Sequence, residues 1–362
     1  MIRDDLYIIA EVGVNHDGNL DKAKSLIDVA IMSGCNAVKF QTFKSELVVN
    51  KFASKAEYQI KNTSDTNTQL EMIKKLELSE KDFATLKNYC GGKIEFISTP
   101  FDLPSLNFLC NELNLPMLKI PSGEMTNAPY LLEVSKKRLP MVISTGMCSL
   151  GDIEKALGVI AFGLMSDDDF KPCLDAFISA YHSPKGKDLL RRYVTLLHCT
   201  SNYPAEPKSV NIKAMETLSK AFGLPIGYSD HTEGSLASIL AVAYGAKVIE
   251  KHITLNKQDL GPDHQASMEP DDLKEMVTQL RLVNTMLGQS FKGPSSEEFS
   301  TAIVARRSLV ASKPVKLGEE WSSENLTAKR PGNGVSPYKY WELLGTENKD
   351  KDYEADELLV NK

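Results

Sequence analysis

Two short apolar runs, Pro225-Ile226-Gly227-Tyr228-Ser229-Asp230-His231 and Lys247-Val248-Ile249-Glu250-Lys251-His252, each end on a histidine. Each run has the length and the apolar content of a strand buried in a parallel sheet. Six earlier runs behave in the same way, and they end on Glu11, Lys39, Ser98-Thr99, Lys119, Ser144-Thr145 and His198-Cys199-Thr200. Polar side chains at the ends of buried strands predict an active site, provided that the strands close into one barrel.

Apolar runs alternate with helical patterns from residue 6 to residue 287. Strands are predicted at Leu6–Ala10, Ala37–Phe40, Ile94–Ser98, Met117–Ile120, Met141–Ser144, Val194–Leu197, Pro225–Tyr228 and Lys247–Glu250. Helices are predicted at Leu20–Met32, from about Ser79, and at Leu103–Leu113, Ala128–Lys136, Leu150–Phe162, Ile212–Phe222, Ser235–Tyr244 and Pro270–Leu287. Eight βα units indicate an α/β fold, a (β/α)8 TIM barrel. An open doubly wound sheet is the alternative, but it would gather polar residues at one switch point and not at every strand end.

Three stretches depart from this alternation. The polar stretch from Gln41 to Glu71 is too long for an ordinary βα loop and is predicted to cover a site. Residues 165–192 are predicted to form an irregular insert whose aspartates at 167–169 face solvent. Residues 288–300 are rich in Gly, Ser and Pro and are typical of a linker. We therefore predict a catalytic domain at 1–287 and a small, strand-like second domain at 301–362.

The bulk composition narrows the class of protein. The chain has 362 residues, 42% hydrophobic and 25% charged, as is typical of a soluble globular protein. Its formal net charge of −6 argues against non-specific nucleic-acid binding. No apolar run approaches the length of a membrane span or of a signal peptide. The six cysteines form no CxxC pair, which indicates reduced thiols in a cytoplasm.

His231 and His252 are a candidate metal pair, because neutral imidazole is a common ligand of Zn, Mn and Fe. Asp230 and Glu250 lie next to them in the sequence and could orient the rings as hydrogen-bond acceptors. The alternative is that both histidines are structural and hydrogen-bonded within the core. Two histidines at adjacent strand ends favour the metal hypothesis.

Lys39 and Lys119 end two strands, where a buried ammonium group requires a partner. Facing one cavity, they would form a site for a phosphate or carboxylate. The hydroxyls predicted to join them are those of Thr99, Ser122 and Ser144. Ion pairs with Glu11 or Glu124 are the alternative, and a Schiff base on either lysine remains open.

Several further polar residues belong to the same predicted mouth. Glu11 and Glu124 are candidate acid–base groups. Asp263 follows the eighth strand and is either a site residue or a turn former after Gly-Pro. Asn15, His16 and Asp17 could be substrate contacts or ordinary turn residues. Arg330, in the small domain, would by itself be read as a surface arginine.

The chain resembles bacterial sialic acid (nonulosonic acid) synthases over nearly its whole length. The segments that carry the resemblance are Ile9–Gly18, Ala37–Phe43, Ser98–Asp102, Lys119–Glu124, Ile143–Met147, His198–Pro204, Tyr228–Thr232, Glu250–His252 and Gly261–His264. The tail Arg307–Leu359 looks like the antifreeze-like (SAF, β-clip type) domain of the same enzymes. Some members have an asparagine where this chain has Ser201.

The resemblance implies a reaction. Phosphoenolpyruvate would condense with N-acetylmannosamine and water to give N-acetylneuraminate and phosphate, with cleavage of a C–O bond. A divalent metal, Mn2+ or Mg2+, would be held by His231 and His252 and would polarise the aldehyde. The residues implied to hold phosphoenolpyruvate are Lys39, Thr99, Lys119, Ser122, Ser144, Ser201 and Ser229. Those implied to bind the amino sugar or to move protons are Glu11, Gln41, Glu124, Tyr203 and Asp263. Arg330 would come from a partner chain in a domain-swapped homodimer.

Three alternatives to this activity remain open. Within the class, the product could be legionaminate or pseudaminate from a diacetamido-trideoxyhexose. Residues 227–232 look at least as much like legionaminate synthases, whereas residues 55–63 look more like N-acetylneuraminate synthases and favour that product. A non-catalytic carbohydrate or ice-surface binder would not need two lysines and two histidines together at strand ends. A lysine-dependent aldolase would form a Schiff base with a keto acid, which we do not expect here.

Overall fold

A closed, eight-stranded parallel sheet forms the centre of the larger unit. The computed structural model describes residues 6–56, 59–60, 68–165 and 171–360. The strands are β1 (Tyr7–Gly13), β2 (Ala37–Thr42), β3 (Glu95–Pro100), β4 (Leu118–Ile120), β5 (Met141–Ser144), β6 (Val194–Cys199), β7 (Ile226–Asp230) and β8 (Val248–His252). Consecutive strands are neighbours, and β8 pairs in parallel with β1. β3 and β4 lie side by side and complete the ring. The sheet is therefore the predicted barrel and not an open doubly wound sheet.

Helices follow the strands on the outside of the barrel. They span Leu20–Met32, Ser45–Val48, Gln69–Lys74, Glu80–Cys90, Leu103–Asn107, Ala128–Lys136, Leu150–Met165, Leu174–His182, Pro184–Tyr193, Ala214–Phe222, Leu236–Ala243 and Pro270–Leu287. A π-helical turn, Phe108–Glu112, continues the helix that starts at Leu103. The insert predicted to be irregular contains two helices, 174–182 and 184–193, so that prediction is wrong. The aspartates at 167–169, and parts of the 55–63 segment, lie outside the described residues.

Local sequence signals explain where several helices begin and end. The predicted start at Ser79 is confirmed: its hydroxyl caps Asp82 N, and the Asp82 carboxylate accepts from Ser79 N. Asn19 caps the first helix by accepting from the backbone N–H groups of Asp21 and Lys22. The 80–90 helix ends at Gly91, which has a φ of 53°. Glycine adopts this left-handed conformation without strain, so it stops the helix at that point.

The side chains inside the barrel form two layers. The lower layer is apolar and consists of Ile9, Ala37, Ile97, Met117, Val142, Leu197 and Val248. Gly227 completes it, because a Cβ there would lie 2.5 Å from both Leu197 Cδ2 and the Val248 carbonyl oxygen. Side chains two residues further along a strand point to the same side of the sheet. The next layer is therefore Glu11, Lys39, Thr99, Lys119, Ser144, Cys199, Ser229 and Glu250, which we call the polar layer.

The chain divides into two compact units, Met1–Gly288 and Gln289–Lys362. The second unit contains a helix, Glu298–Ala305, and an antiparallel pair of strands, β9 (Ser308–Ala311) and β10 (Leu326–Lys329). The helix overlaps the predicted linker and the predicted start of the small domain. This unit has its own small core around Leu309, Trp321 and Tyr353. Within the described residues, no helix has the length and hydropathy needed to cross a bilayer.

Candidate active site

The polar layer forms the floor of a cavity of about 550 Å³ at the carboxyl ends of the strands. Every member of the layer lines this cavity: Glu11, Lys39, Thr99, Lys119, Ser144, Cys199, Ser229 and Glu250. His231 and His252 continue the inward-facing rows of β7 and β8 by two residues and also line it. The volume lies within the range of sites for small molecules. The structure thus gathers residues from all eight strands in one place.

Glu250 lies between the two lysines at the centre of the floor. Its Oε1 is 3.3 Å from Lys119 Nζ, and its Oε2 is 3.7 Å from Lys39 Nζ. Lys39 Nζ is also 2.7 Å from Glu11 Oε2 and donates to Thr99 Oγ1 at 3.2 Å. All four ionisable side chains of this cluster, Glu11, Lys39, Lys119 and Glu250, are at most 3% exposed. The lysines therefore both face the cavity and form ion pairs. Their shared partner is Glu250 and not Glu124.

The pKa values of the two buried glutamates differ in direction. Burial raises the pKa of Glu11 to about 7, and the attraction of Lys39 offsets only part of that rise. Burial acts on Glu250 in the same direction, but Lys119 and Lys39 outweigh it and lower its pKa to about 2. Near neutral pH Glu250 is therefore ionised and pairs with both lysines, whereas Glu11 lies close to the midpoint of its titration. The two lysine side chains on the floor offer contacts that suit an anionic ligand.

Small polar groups border the lysines on one side. Ser122 Oγ accepts from the backbone N–H of Gly146 at 2.9 Å and lies 3.2 Å from Cys199 Sγ. A Cβ at residue 146 would lie 2.2 Å from Ser201 Oγ, so any larger residue would have to displace that hydroxyl. Ser144 Oγ is buried and makes no hydrogen bond within the described part of the chain. A buried hydroxyl without a partner is costly unless a ligand satisfies it.

The two histidine rings lie side by side, with centroids 5.6 Å apart. His231 Nδ1 is 2.7 Å from the Thr200 carbonyl oxygen, which fixes the proton on Nδ1. Ser229 gives its hydroxyl hydrogen to Glu250 Oε1 at 2.8 Å, so the Nε2 lone pair of His231 remains available. His252 Nδ1 is buried and has no hydrogen-bond partner among the described residues. Burial holds the pKa of His231 at about 4, and that of His252 well below its usual value. Both rings are neutral and have the donor character of metal ligands.

The outer side of the cavity is apolar. Val14, Phe43 and Leu76 form a small buried cluster, against which Ile73 and Phe101 pack. These five side chains, which we call the apolar wall, all line the cavity. Among the described residues that line the cavity, the cationic side chains are Lys39 and Lys119, both on the floor. The prediction that the 41–71 stretch covers a site agrees with the position of Phe43, Val48, Val49, Ala56, Gln59 and Gln69 in the lining.

The structure brings most of the predicted sugar-binding residues to the same cavity. Gln41 Nε2 donates to Glu11 Oε1 at 3.1 Å. The Tyr203 ring stacks near His231, with centroids 4.2 Å apart. Asp263 is buried beside them, and burial raises its pKa to about 6. Glu124 differs, since it is not in the cavity lining and its Oε2 accepts from Asn127 Nδ2 at 2.6 Å. Arg330 is exposed in the second unit.

Other polar residues near the strand ends are engaged in contacts within the protein. Asn15 Nδ2 donates to Ile253 O and Ser267 Oγ, and His16 Nδ1 accepts from Gly18 N. Asp17 and Asp259 lie with His264 in a cluster of metal-type side chains. Lys22 Nζ lies 2.5 Å from Asp17 and 2.6 Å from Asp259, so one ammonium group bridges the two carboxylates and offsets part of their charge. These contacts tie the loop after β1 to the loop after β8.

Two groups of site residues escape sequence reasoning. Glu250 has only a ring-orienting role in the sequence hypothesis, although its position directly before Lys251 and His252 at a strand end is a usable signal. Asp230 does not orient a ring either, because its carboxylate binds Thr232 and Ser238. Cys199 and the apolar wall are also unpredicted. Apolar residues scattered from Val14 to Phe101 carry no local signal that they meet.

A barrel with two lysines and several hydroxyls on its floor, two neutral imidazoles and an apolar outer wall has the features of a small-molecule transferase site. Comparisons with known proteins agree. The NeuB family model matches residues 26–292. The chain is 46% identical over 355 residues to the N,N'-diacetyllegionaminic acid synthase of Campylobacter jejuni, covering 97% of this chain and 98% of that protein. The synthase of the same name from Legionella pneumophila is also 46% identical, over 94% of this chain and 89% of its own.

A solved structure supports the same assignment. The N-acetylneuraminic acid synthetase from Leptospira borgpetersenii has a TM-score of 0.65 and 31% identity, covering 82% of this chain and 90% of that one. The chain therefore belongs to the NeuB family. The prediction of an enzyme of the phosphoenolpyruvate-dependent synthase class is confirmed.

Proposed function

We propose that the enzyme condenses phosphoenolpyruvate with 2,4-diacetamido-2,4,6-trideoxymannose and water, giving N,N'-diacetyllegionaminate and phosphate. The observation that carries this proposal is the apolar wall opposite the charged floor. A trideoxy sugar with two acetamido groups presents three methyl groups, whereas N-acetylmannosamine presents one and more hydroxyls. The two relatives at 46% identity carry the name of legionaminate synthases, against 31% for the neuraminate enzyme. The sequence preference for N-acetylneuraminate is replaced accordingly.

Phosphoenolpyruvate is assigned to the floor. Its phosphate and carboxylate match the ammonium groups of Lys39 and Lys119, which are already desolvated and held by Glu250. Ser144 Oγ supplies a buried hydroxyl that lacks a hydrogen-bond partner in the described structure. The remaining contacts are assigned to Thr99, Ser122, Ser201 and Ser229. A trianion is well suited to this floor, because the ion pairs with Glu250 hold both lysines in place before the ligand arrives.

His231 and His252 are assigned to a divalent cation, Mn2+ or Mg2+. The fit is good: two neutral imidazoles face one cavity, and His252 Nδ1 is buried with no hydrogen bond to any residue that the structure describes. When bound, such a cation would polarise the sugar aldehyde and lower the pKa of a bound water. Thr200 keeps the His231 proton on Nδ1 and so keeps Nε2 ready to bind.

The bond changes follow from the two substrates. Carbon C3 of phosphoenolpyruvate forms a bond to the aldehyde carbon, whose oxygen takes the electron pair and a proton. Water then adds at C2, and the C2–O bond to phosphate breaks, so the bridging oxygen leaves with phosphate. Glu11 has a pKa of about 7 and can accept the proton of that water near neutral pH. Gln41 holds the Glu11 carboxyl through Oε1.

The sugar is assigned to the space between the histidines and the apolar wall, with Gln41, Tyr203 and Asp263 as polar contacts. Glu124 keeps a proposed role only at the rim, because its carboxylate is engaged by Asn127.

We assign the second unit to the antifreeze-like SAF class, with Arg330 reaching the barrel of a partner in a domain-swapped homodimer. A cytoplasmic location is part of the same proposal.

The test is a phosphate-release assay with phosphoenolpyruvate and Mn2+. The sugars compared are the diacetamido-trideoxymannose, N-acetylmannosamine and the related sugar that gives pseudaminate, each with and without EDTA. We expect release with the first sugar at a kcat/KM at least tenfold above the others, and none with EDTA. Release mainly with N-acetylmannosamine would overturn the sugar assignment, and no release with any sugar would overturn the proposed function.

Val14→Thr tests the apolar wall directly. This nearly isosteric change places a hydroxyl against the methyl-lined side, where desolvation costs about 1–3 kcal/mol. We expect kcat/KM for the trideoxy sugar to fall by about tenfold while that for N-acetylmannosamine changes less. Val283→Thr makes the same change on the 270–287 helix, away from the cavity, and should leave the ratio unaltered. Equal losses of kcat/KM for both sugars would mean that the apolar wall does not discriminate between them.

A further inference from the structure

Behind the two histidines lies a buried ion pair that no part of the proposed reaction uses. Asp230 precedes His231 on β7, and Lys251 precedes His252 on β8. Successive side chains of a strand point to opposite faces, so these two lie on the outer face of the barrel while the histidines face in. Asp230 and Lys251 are paired opposite each other in the β7–β8 ladder. Their exposed fractions are 0% and 1%.

The Asp230 carboxylate is saturated with donors. Thr232 donates to Oδ1 twice, through its backbone N–H and its hydroxyl, each at 2.8 Å. Ser238, on the 236–243 helix, donates to Oδ2 at 2.6 Å. Lys251 Nζ lies 3.2 Å from Oδ2. Four contacts therefore hold one carboxylate in a single orientation.

Lys251 closes the network across the two strands. Its Nζ donates to the Thr232 carbonyl oxygen at 2.5 Å as well as pairing with Asp230. Thr232 directly follows His231, so the backbone on both sides of His231 is tied to β8. The backbone of His252 is tied to the same group, because Lys251 is its neighbour. The two histidine Cα positions are thus fixed relative to each other.

A gain in stability is a weak explanation for this pair. Desolvating two charges often costs as much as their attraction returns, and an apolar pair of similar volume serves a core as well. The histidines, by contrast, depend on the backbone for their placement. His252 Nδ1 has no hydrogen bond within the described residues, so among them no contact to Nδ1 sets the orientation of its ring. Two ligands of one metal ion must have their donor atoms held in place to within a few tenths of an ångström.

We propose that Asp230 and Lys251 are positioning residues: they fix the separation of His231 and His252 and so set the affinity for the divalent cation. This inference rests on the proposed metal role of the two histidines. Neither residue lines the active-site cavity, so neither touches substrate. Their effect is expected on metal affinity and not on the chemistry of a metal-loaded enzyme.

The experiment measures Mn2+ binding to the metal-free protein, by the EPR signal of free Mn2+, without substrates. We expect Asp230→Asn and Lys251→Met to raise the Kd for Mn2+ by about 10- to 100-fold, as the loss of groups that orient metal ligands does. Excess Mn2+ should restore kcat in both variants, which a general loss of folding would not allow. An unchanged Kd in a folded Asp230→Asn protein would overturn the inference.

Two further variants separate positioning from folding. Arg281→Met removes a cation that binds Asn36 and the Leu6 carbonyl at the other end of the barrel, and it should lower Tm with no change in the Kd for Mn2+. If Asp230→Asn and Lys251→Met do not fold, Ser238→Ala decides, since it removes one donor from Asp230. We expect it to raise the Kd about threefold, and no change would count against the proposal.

A last variant distinguishes this inference from the metal role on which it rests. His252→Gln should weaken Mn2+ binding by at least about 10²-fold, which abolishes binding at the concentrations of the same assay. If His252→Gln binds Mn2+ as the unchanged protein does, the metal role fails first, and the positioning inference fails with it. If His252→Gln abolishes binding while Asp230→Asn and Lys251→Met do not alter it, only the positioning inference is overturned.

Discussion

Lys119→Met should lower kcat/KM for phosphoenolpyruvate by about 10³-fold. The ammonium group is 3% exposed and faces the cavity floor, where water cannot replace it. Removing one charge of a buried, hydrogen-bonded contact to an anion costs about 3–5 kcal/mol. At about 1.4 kcal/mol for each factor of ten, this corresponds to a loss of two to four orders of magnitude. The loss should be seen with either sugar, because the lysine is assigned to phosphoenolpyruvate.

The fold should survive this change. Methionine has a similar volume, and Glu250 keeps the Ser229 hydroxyl at 2.8 Å and the Lys39 ammonium group at 3.7 Å. Thermal unfolding followed by circular dichroism checks this. Lys136→Met is the matched control, since Lys136 forms an exposed pair with Glu133 that contributes little. A folded Lys119→Met enzyme with kcat/KM within tenfold of the unchanged protein would show that Lys119 does not hold the substrate.

His252→Gln should abolish phosphate release and weaken Mn2+ binding by at least about 10²-fold. Losing a group that merely orients a metal ligand already costs about 10- to 100-fold in affinity, so losing a ligand costs more. Glutamine keeps a polar side chain of similar length, which limits damage to the packing beside Tyr203 and His231. The measurements are Mn2+ affinity by EPR and phosphate release across a range of Mn2+ concentrations.

His198→Gln is the control for this prediction. His198 also lies near the end of a barrel strand, but its Nε2 is 2.7 Å from the Val210 carbonyl oxygen and it does not line the cavity. We expect its Mn2+ affinity to be unchanged and its Tm to fall. Loss of Mn2+ binding in both variants would point to a general effect of the substitutions and contradict the assignment of the metal to His252.

The sequence does not predict which residues of each strand face the inside of the barrel. Runs such as Ser98-Thr99, Ser144-Thr145 and His198-Cys199-Thr200 each offer neighbouring polar residues at a strand end. In the structure Thr99, Ser144 and Cys199 face the cavity, whereas Ser98 bonds Thr42 and Thr145 bonds the Leu197 carbonyl. A parallel strand in a barrel is buried on both faces, so polar and apolar residues do not alternate along it. Its sequence therefore does not indicate which side chains point inward.

Eight buried runs, each followed by polar residues at one end, are sufficient to predict the barrel and the candidate residues. Which of those residues meet depends on how the strands are arranged in space. The network of Glu250 with Lys39 and Lys119 depends on distances between β2, β4 and β8, and the pKa values of its members depend on the same distances. The apolar wall joins Val14, Phe43, Leu76 and Phe101 across almost 90 residues of chain. Side-chain energies depend on separation in space, which a linear pattern of residue types does not contain.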